Sequence, residues 1–282
     1  MVPPIELPAL NIRALLRTHN LRPKKGLGQN FLSDPGILDR IVESAQIPPH
    51  TTVLEVGPGL GSLTRFLAVA TRQVVAVELD ANFIPVLHEV LASTDNVAIH
   101  QGDILALDPT QLIPDEDYLV VANIPYNITS ALIRHLLEAA RKPQRIVLTI
   151  QQEVAARICA APGKFSLLAL SVQVYGKPSI AMRIPAGAFY PPPKVDSAVL
   201  RVDLYAEPRI AHQQLDSFFT LIKAGFSQKR KTLRNALSGG LHWKTTQSEA
   251  LLNAAHIDPN RRAETLSIEE WGTLTQIYSA NP

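Results

Sequence analysis

Short apolar runs alternate with segments of helical periodicity through about residue 205. The runs are continuous and rich in valine, as expected of strands that are buried on both faces. Strands are predicted at TTVLEVG, RQVVAVELD, NVAIHQGD, YLVVANIPY and RIVLTIQ. Helices are predicted between them at DPGILDRIVESA, SLTRFLAVA, ANFIPVLHEVLAS and ITSALIRHLLEAA. This alternation predicts right-handed crossovers and an α/β fold with a mostly parallel, doubly wound sheet.

The pattern changes in two steps toward the end of the chain. PSIAMRIP and SAVLRVDLYA predict two further strands joined by the proline-rich loop AGAFYPPPKVD, which adds one antiparallel strand near the end of the sheet. After Pro208 only helical patterns follow: AHQQLDSFFTLIKAGF, SQKRKTLRNAL, TTQSEALLNAA and SIEEWGTLTQIYSA. We therefore predict an N-terminal helical extension over residues 1–23, the sheet domain over residues 24–207 and a small all-helical domain over residues 208–282.

The composition is that of a folded globular chain and narrows the classes of function. The 282 residues are 46% hydrophobic and 18% charged, with a net charge of only +2. The single cysteine, Cys159, excludes an internal disulfide framework, and no Cys/His pair has the spacing of zinc ligands. No stretch is apolar over the length of a membrane span, and the first residues lack the apolar core of a secretory signal. NIRALLR could pass for a weak transit peptide, but we interpret it as a short leading helix and expect a cytoplasmic protein without a metal. We also expect the protein to be monomeric.

VLEVGPGLGSLT places Gly57, Gly59 and Gly61 directly after the first predicted strand and before a helix. Ligands bind open α/β sheets at this end of the strands, where glycine lets them approach the backbone closely. A dinucleotide fingerprint reads G-x-G-x-x-G and uses backbone N–H groups on a pyrophosphate. Here the spacing is G-x-G-x-G, and Pro58 removes one N–H group. The loop therefore favours S-adenosylmethionine, which has no phosphate, over NAD; a plain strand-to-helix turn is the alternative.

Carboxylates end the next two predicted strands. Glu78 ends VVAVELD, where its side chain can accept hydrogen bonds from both ribose hydroxyls of either NAD or S-adenosylmethionine. Asp103 ends HQGDIL, where it can accept a hydrogen bond from an adenine amino group; a helix N-cap is the alternative. Because the carboxyl ends of parallel strands meet at one edge of the sheet, these residues and the glycine loop predict a nucleoside site.

NIPY, residues 123–126, ends the fourth strand with chemistry that a simple strand end does not need. An exocyclic amine on a nucleobase is a poor nucleophile because its lone pair is delocalised into the ring. The Asn123 side-chain oxygen and a main-chain carbonyl at Ile124 or Pro125 can accept hydrogen bonds from its two N–H groups, which turns the nitrogen toward tetrahedral geometry and aims the lone pair at a methyl donor. Tyr126 offers a face on which a base taken out of its helix can stack. The motif predicts amino-directed nucleic-acid methylation; a proline-stiffened turn with Tyr126 in the core is the alternative.

Eight blocks between Lys24 and Ser267 together resemble the KsgA/RsmA family of ribosomal RNA adenine dimethyltransferases. They are KKGLGQNFL, VLEVGPGLGSLT, VVAVELD, GDIL, NIPYNITS, FYPPPKVDSAV, FSQKRKTLRNAL and RAETLS. The resemblance implies a Rossmann-like sheet that binds S-adenosylmethionine and dimethylates N6 of adenines in 16S rRNA or the immature small ribosomal subunit. It also implies that Asn30 and Leu32 border the cofactor and that Phe189 stacks on the target adenine opposite Tyr126. The other cofactor contacts that it implies are Gly57, Glu78, Asp103 and Asn123. From the sequence alone, Phe189 could equally be a hydrophobic plug.

Three other functions compete with this interpretation. The related Erm enzymes methylate 23S rRNA with the same core and share Ile124 of NIPY, although KRKTLRN and RAETLS in the helical tail favour the small-subunit enzyme. A ribosome-assembly or transcription factor on the same fold would not need Glu78, Asp103 and Asn123 intact. An NAD-dependent dehydrogenase is disfavoured by the glycine spacing and by NIPY.

Clustered cations supply candidate RNA contacts that the small net charge does not reveal. GFSQKRKTLRN contains four basic residues and no acid, and on a helix Arg230, Lys231 and Arg234 would share a face. Folded RNA is read mainly by its shape and its phosphates. We expect RNA contacts from Lys24, Lys25, Lys194, Lys229, Arg230, Lys231 and Arg234. A solvated charged face is the alternative.

Overall fold

The computed structural model describes Ile5, residues 7–113 and residues 117–280, and it divides the chain into two compact units. The first unit comprises Met1–Ala155 and Ser179–Leu204, and the second comprises Ala156–Pro178 and Tyr205–Pro282. Residues 156–178 therefore belong to the second unit. From the sequence, they are predicted as part of the sheet domain over residues 24–207.

The first unit is built on a seven-stranded sheet, with a two-stranded ribbon beside it in the same unit. The ribbon pairs β1 (Phe31–Leu32) with β8 (Phe189–Tyr190) in antiparallel orientation. The strands of the sheet are β2 (Thr52–Val56), β3 (Gln73–Glu78), β4 (Val97–Gln101), β5 (Tyr118–Asn123), β6 (Arg145–Gln151), β7 (Gly176–Ile184) and β9 (Ser197–Leu204). Their order across the sheet is β4-β3-β2-β5-β6-β9-β7.

Strand direction confirms the predicted fold class. β2 pairs in parallel with both β3 and β5, β3 with β4, and β5 with β6, whereas β9 runs antiparallel to β6. From β2 the chain builds outward through β3 and β4 on one side and then adds β5 and β6 on the other. The topological switch point therefore lies between β2 and β5, and open sheets bind ligands at the carboxyl ends of the strands beside such a point.

Helices connect the strands where the sequence has a 3.6-residue periodicity. They are α1 (Ile12–Thr18), α2 (Pro35–Ala45), α3 (Ser62–Ala70), α4 (Ile84–Val90), α5 (Pro109–Leu112), α6 (Thr129–Glu138) and α7 (Gln152–Ile158). In α2, the Asp34 side chain accepts a hydrogen bond from the Ile37 N–H and Pro35 occupies the first turn, which is a favoured helix start. Leu38 and Ile41 face the core of the sheet, together with strand residues of β2 and β5.

The second unit is helical after Pro208, as predicted. Its helices are α8 (Leu167–Gln173), α9 (Leu215–Phe226), α10 (Leu233–Leu241), α11 (Thr245–Ala254) and α12 (Ile268–Ala280). Trp271 of α12 is fully buried, and a Cβ added to Gly225 of α9 would lie 2.6 Å from its ring, so glycine allows these helices to approach closely. One predicted helix is shorter than expected, because α10 begins only at Leu233 and residues 227–232 form turns.

Within the described ranges, no helix has the length and apolar character needed to cross a membrane. The longest, α12, has 13 residues, whereas a span needs about 20. The same ranges contain no group of three or more His, Cys, Asp or Glu side chains that could hold a metal ion.

Candidate active site

A cavity opens at the carboxyl ends of β2, β3 and β5, beside the switch point. Its wall includes residues 27–32, 55–60, 77–79, 102–105 and 123–128, all of the first unit. The structure thus brings together the glycine loop, the two predicted carboxylates and NIPY around one space. Asn30 and Leu32 lie on the same wall.

Two of the three loop glycines bring backbone to the cavity. Gly57 and Gly59 have φ angles of +68° and +58°, which residues with a Cβ rarely adopt. A Cβ on Gly59 would also lie 3.0 Å from the Phe31 ring. Gly61 differs, because it is the N-cap of α3 with a φ angle of +82°, and a Cβ there would lie 3.2 Å from Val90. Its glycine is explained by the start and packing of that helix rather than by contact with a ligand.

Glu78 is held in place by backbone donors on both sides. Its Oε2 accepts a hydrogen bond from the Gly59 N–H at 2.9 Å, and its Oε1 accepts one from the Asp80 N–H at 2.8 Å. Burial raises the pKa of Glu78, and these hydrogen bonds oppose the rise in part. A carboxylate oxygen has more than one lone pair, so the fixed side chain can still accept hydrogen bonds from a ribose diol.

Glu55 also lines the cavity, and sequence reasoning missed it. The side chain is only 1% exposed. Burial raises the pKa of Glu55 to about 8, the Thr64 hydroxyl lowers it and the Glu78 charge adds to the rise. An acid two residues before Gly57, in an otherwise apolar strand, is the signal that could have revealed it.

Unpaired polar atoms on the cavity wall test whether S-adenosylmethionine fits. Among the residues that the structure describes, the Glu55 Oε2 and the Ser62 hydroxyl are buried without a hydrogen-bond partner. Both residues line the cavity. Buried polar groups in proteins are normally hydrogen-bonded, so these two atoms fit a ligand that brings polar groups of its own. The amino-acid portion of S-adenosylmethionine is such a group.

The segment after β4 combines a polar group with an apolar surface. Asp103 lies on the cavity wall, and its Oδ1 accepts a hydrogen bond from the Leu105 N–H at 2.9 Å. It therefore caps a turn rather than a helix, since α5 begins only at Pro109. Leu79 is 53% exposed on the same wall, which buried Ile104 also lines. Apolar side chains beside a carboxylate suit a flat base whose amino group needs a hydrogen-bond acceptor. Sequence reasoning assigned no role to Leu79 or Ile104.

The Asn123 amide is oriented by a contact that is distant in sequence. Its Nδ2 donates a hydrogen bond to the Asn30 carbonyl oxygen at 3.1 Å. The Asn30 side chain in turn donates to the Gly28 carbonyl oxygen at 3.0 Å. Because the Asn123 NH2 group is engaged with the loop, its Oδ1 is the atom left to accept a hydrogen bond from a substrate.

Gly28 locks the loop before β1 against NIPY. It has a φ angle of +62°, and a Cβ there would lie 3.0 Å from the Pro125 Cβ and 3.1 Å from the Asn127 Oδ1. Only glycine fits this position without a shift of the backbone. Pro125 itself lines the cavity, and its carbonyl oxygen accepts a hydrogen bond from the Ile128 N–H at 3.3 Å. Sequence reasoning gave Gly28 no role.

Tyr126 lies on the cavity wall with its ring half-buried. Its hydroxyl and the Ser197 hydroxyl are 2.5 Å apart, which ties NIPY to the first residue of β9. Burial raises the pKa of Tyr126, and the hydrogen bond to Ser197 opposes the rise. The phenol is therefore a neutral anchor, and the ring remains on the wall as a surface for stacking.

Phe189 does not share that surface. It is 4% exposed and belongs to the hydrophobic core, where β1 and β8 pair it with Leu32. It is also not among the residues that form the cavity wall. This placement favours the hydrophobic-plug alternative, and stacking of Phe189 on adenine stays a prediction.

The basic residues predicted near the cavity differ in their surroundings. Lys24 forms an ion pair with the almost buried Asp80, with its Nζ 2.8 Å from the Asp80 Oδ2. Burial alone would raise the pKa of Asp80, but hydrogen bonds from Lys24, Asn82 and Gln29 lower it below its usual value. Lys24 thus ties the loop before β1 to Asp80. Half of its side chain is still exposed, and its contact with RNA stays a prediction. The Lys25 side chain lies outside the described residues, and Lys194 is exposed.

The other predicted cations lie in the second unit. Lys229, Arg230 and Lys231 are exposed in the turns over residues 227–232, which we call the basic loop. Arg234 lies in the first turn of α10, where its Nη1 is 3.5 Å from a carboxylate oxygen of Glu249. The shared helix face expected for Arg230, Lys231 and Arg234 is therefore wrong, because the first two precede the helix.

The chain is similar to known proteins over almost its whole length. Residues 20–279 match the family described as ribosomal RNA adenine dimethylase. The chain is 46% identical over 274 residues to ribosomal RNA small subunit methyltransferase A of Dehalococcoides mccartyi strain 195, covering 96% of this chain and 93% of that protein. It is 42% identical over 275 residues to the enzyme of the same name from Alkaliphilus metalliredigens, covering 95% and 96%.

Solved structures show the same fold over most of the chain. A dimethyladenosine transferase from Plasmodium falciparum matches with a TM-score of 0.77 and 25% identity, covering 89% of this chain and 98% of that one. The 23S rRNA methyltransferase ErmE matches with a TM-score of 0.72 and 29% identity, covering 89% of this chain and 100% of that one.

Proposed function

The chain belongs to the ribosomal RNA adenine dimethylase family, and on this premise we propose that it methylates N6 of adenines in small-subunit (16S) ribosomal RNA. The product is N6,N6-dimethyladenosine, formed in the cytoplasm during ribosome biogenesis. The methyl donor is S-adenosylmethionine, and the substrate is 16S rRNA or the immature small subunit. The observation that carries the proposal is that the glycine loop, Glu78, Asp103 and NIPY line one common cavity at the switch point.

Residues of three strand ends would hold the cofactor. Gly57 and Gly59 would leave room for it against the backbone, Glu78 would accept hydrogen bonds from its ribose, and Asp103 would accept one from its adenine amino group. When bound, S-adenosylmethionine supplies an electrophilic methyl group. The unpaired Glu55 Oε2 lies on the same wall and suits the polar end of the molecule.

NIPY acts on the target base. The Asn123 Oδ1 and a main-chain carbonyl at Ile124 or Pro125 accept hydrogen bonds from the two N–H groups of the adenine amine. These bonds turn the nitrogen toward tetrahedral geometry, so that its lone pair is no longer delocalised into the ring and can attack the methyl group. The Tyr126 ring stacks on the extruded base while Ser197 holds its hydroxyl. Positioning and electrostatics supply the rate, and the amine proton leaves to solvent after transfer.

RNA binding would draw on the basic loop and Lys194, which are exposed. These cations suit phosphates, which fix the register of an RNA on a protein without reading its sequence. The all-helical unit that carries the basic loop is then the RNA-binding domain, and a single chain suffices for the reaction.

An Erm-type 23S rRNA activity is the second candidate, since ErmE has the same fold at 29% identity. It is the less supported of the two. The relatives with 42–46% identity, matched over 95–96% of this chain, are named as small-subunit enzymes.

Methyl transfer from labelled S-adenosylmethionine to three substrates tests the proposal. The substrates are under-methylated 30S particles, 50S particles and free 16S RNA, followed by mapping of the modified base. We expect label on adenine N6 in 30S particles or in 16S RNA. Label on 50S particles alone would support the Erm-type function, and label on none would leave a non-catalytic factor on the same fold.

A further inference from the structure

The N-terminal helix carries a charge pattern that the proposed reaction does not use. Residues 7–33 contain five basic residues and no Asp or Glu. Arg13 and Arg17 are four residues apart in α1, so they share one side of the helix, and both are exposed. Arg22 follows the helix and is exposed as well. We call these three residues the arginine face.

The opposite side of α1 packs against the wall of the cavity. Ile12 and Leu16 are each 4% exposed and cluster with Phe31, Leu60 and Phe83. Those three aromatic and aliphatic side chains also line the cavity. The helix therefore covers the outside of the wall, while Arg13 and Arg17 remain exposed to solvent.

Further contacts fix the helix and its surroundings. The His19 Nε2 lies 2.9 Å from a carboxylate oxygen of Glu89, and the Arg65 side chain donates to the Pro8 carbonyl oxygen at 2.9 Å. The Arg13 guanidinium lies 4.9 Å from the centre of the Tyr190 ring, which places it near the β1–β8 ribbon. Apolar residues and these contacts therefore hold α1 against the first unit, and the charges of Arg17 and Arg22 are not needed for this.

The arginine face contrasts with other arginines of the chain. Carboxylates contact Arg145, Arg201, Arg209, Arg234 and Arg261. Among the described residues, no carboxylate pairs with any member of the arginine face. Exposed guanidinium groups without a carboxylate partner, in a stretch without acids, fit phosphates, which they can bind through two parallel hydrogen bonds.

We propose that the arginine face binds phosphates of the substrate RNA, next to the target base, as a second contact surface beside the catalytic cavity. It lies on the unit that holds NIPY, so it orients the RNA relative to the chemistry. The inference rests on the proposed function, because that function makes RNA the substrate. The protein would then have two RNA-binding surfaces, the arginine face on α1 and the basic loop in the second unit.

Charge-matched double variants test the proposal. Arg13→Gln with Arg17→Gln removes two charges from the arginine face, and Arg40→Gln with Arg183→Gln removes two exposed charges from α2 and β7. Filter binding of a small-subunit RNA hairpin over a salt series gives the log–log slope of affinity against salt. We expect the first pair to reduce the slope by about 0.7–0.9 for each phosphate that the variant no longer binds, and the second pair to leave it unchanged. Arg13→Lys with Arg17→Lys should restore most of the slope.

Two measurements separate this inference from the proposed function. Calorimetry should give the same S-adenosylmethionine affinity for the arginine-face pair as for the wild type, because neither arginine lines the cavity. Thermal unfolding should give a midpoint that is lowered only by the loss of the Arg13–Tyr190 contact. An arginine-face pair that keeps the wild-type slope overturns the inference, even if the wild type methylates 16S RNA. If the slope is reduced but no small-subunit substrate is methylated, the arginine face binds RNA phosphates and the proposed function is wrong.

Discussion

The cavity edge of the first unit and the basic loop of the second unit both present polar groups, but they hold them differently. At the cavity edge, the Asn123 amide is bonded to the loop before β1, and the Glu78 carboxylate is bonded to two backbone N–H groups. In the basic loop, Lys229, Arg230 and Lys231 are exposed in turns.

The difference indicates two kinds of function. Groups that hydrogen bonds already hold in place need little reorganisation when charge moves in a reaction, so they suit catalysis. Exposed charges act through attraction that salt weakens. Variants at the cavity edge should therefore change rate, cofactor affinity or stability, and variants in the basic loop should change the salt dependence of RNA binding.

The largest effect is expected for Asn123→Ala. The variant loses the oriented amide oxygen, and we expect the methylation rate to fall by about 10²–10³-fold, as for other single positioned hydrogen-bond groups. S-adenosylmethionine affinity, measured by calorimetry, should change far less. Asn253→Ala, at an exposed asparagine of α11 that does not line the cavity, is the control and should keep the wild-type rate. Wild-type methylation by Asn123→Ala would remove the amine-orienting role from NIPY.

Glu55→Gln tests whether the buried carboxyl group of Glu55 makes the free energy of unfolding depend on pH. Because the folded-state pKa of about 8 lies above the ordinary value of 4.5, the native protein retains a proton that the unfolded chain releases. This contribution to stability is complete below pH 4.5 and is lost as the pH rises to about 8, by about 1.4 kcal/mol per pH unit between the two values. The uncharged Gln variant should lack that slope in urea unfolding across this range.

Glu43→Gln, at an exposed position of α2, is the control for Glu55→Gln. It should unfold with the pH dependence of the wild type. If Glu55→Gln does so too, Glu55 is ionised in the folded protein and its position on the wall needs another explanation.

The two regions also differ in how well the sequence predicts them. The cavity edge is predictable from local patterns: apolar runs mark strands, and the carboxyl ends of parallel strands must meet at one edge. Gly57, Glu78, Asp103 and Asn123 can therefore be assigned to one site from the sequence. The basic loop is predicted as helix because Lys, Arg and Gln favour helices. Thr232, a common N-cap residue before LRNAL, is the signal for the later start.

Contacts between distant segments could not be predicted. The Asn30–Asn123 hydrogen bond joins residues 93 positions apart, and the Lys24–Asp80 bond joins residues 56 positions apart. No local pattern announces either pairing. The close approach of Gly28 to Pro125 is of the same kind, since the need for glycine arises from a segment that folds against it.

Tyr126 separates stacking from anchoring at the cavity edge. Tyr126→Ala removes the ring, and we expect a loss of about 1–3 kcal/mol in RNA-dependent methylation, the usual value for stacking one base. Tyr126→Phe keeps the ring but leaves the buried Ser197 hydroxyl without its partner, so it should mainly lower the free energy of unfolding, by about 1–3 kcal/mol. Equal methylation defects in the two variants would contradict a stacking role.

Glu78→Ala should weaken S-adenosylmethionine binding at least about tenfold, or about 1.4 kcal/mol, because the variant has no fixed acceptor for the ribose. Calorimetry with a variant shown to be folded by circular dichroism measures this. Glu43→Ala, on the exposed side of α2, should bind as the wild type does. Unchanged affinity in folded Glu78→Ala would take Glu78 out of the cofactor site and leave it as a support for the glycine loop.

The basic loop should show the smallest effect per residue, and one visible only in RNA binding. Exchange of Lys229, Arg230 and Lys231 for Gln should reduce the log–log slope of RNA affinity against salt by about 0.7–0.9 for each phosphate that is no longer bound. Arg234→Gln should change the slope less, because Glu249 already lies beside that guanidinium. S-adenosylmethionine affinity should stay the same in all of them. If the triple variant has the same slope as the wild type, the basic loop is a solvated surface that does not bind RNA. The two regions would then differ only in how hydrogen bonds hold their polar groups, and not in function.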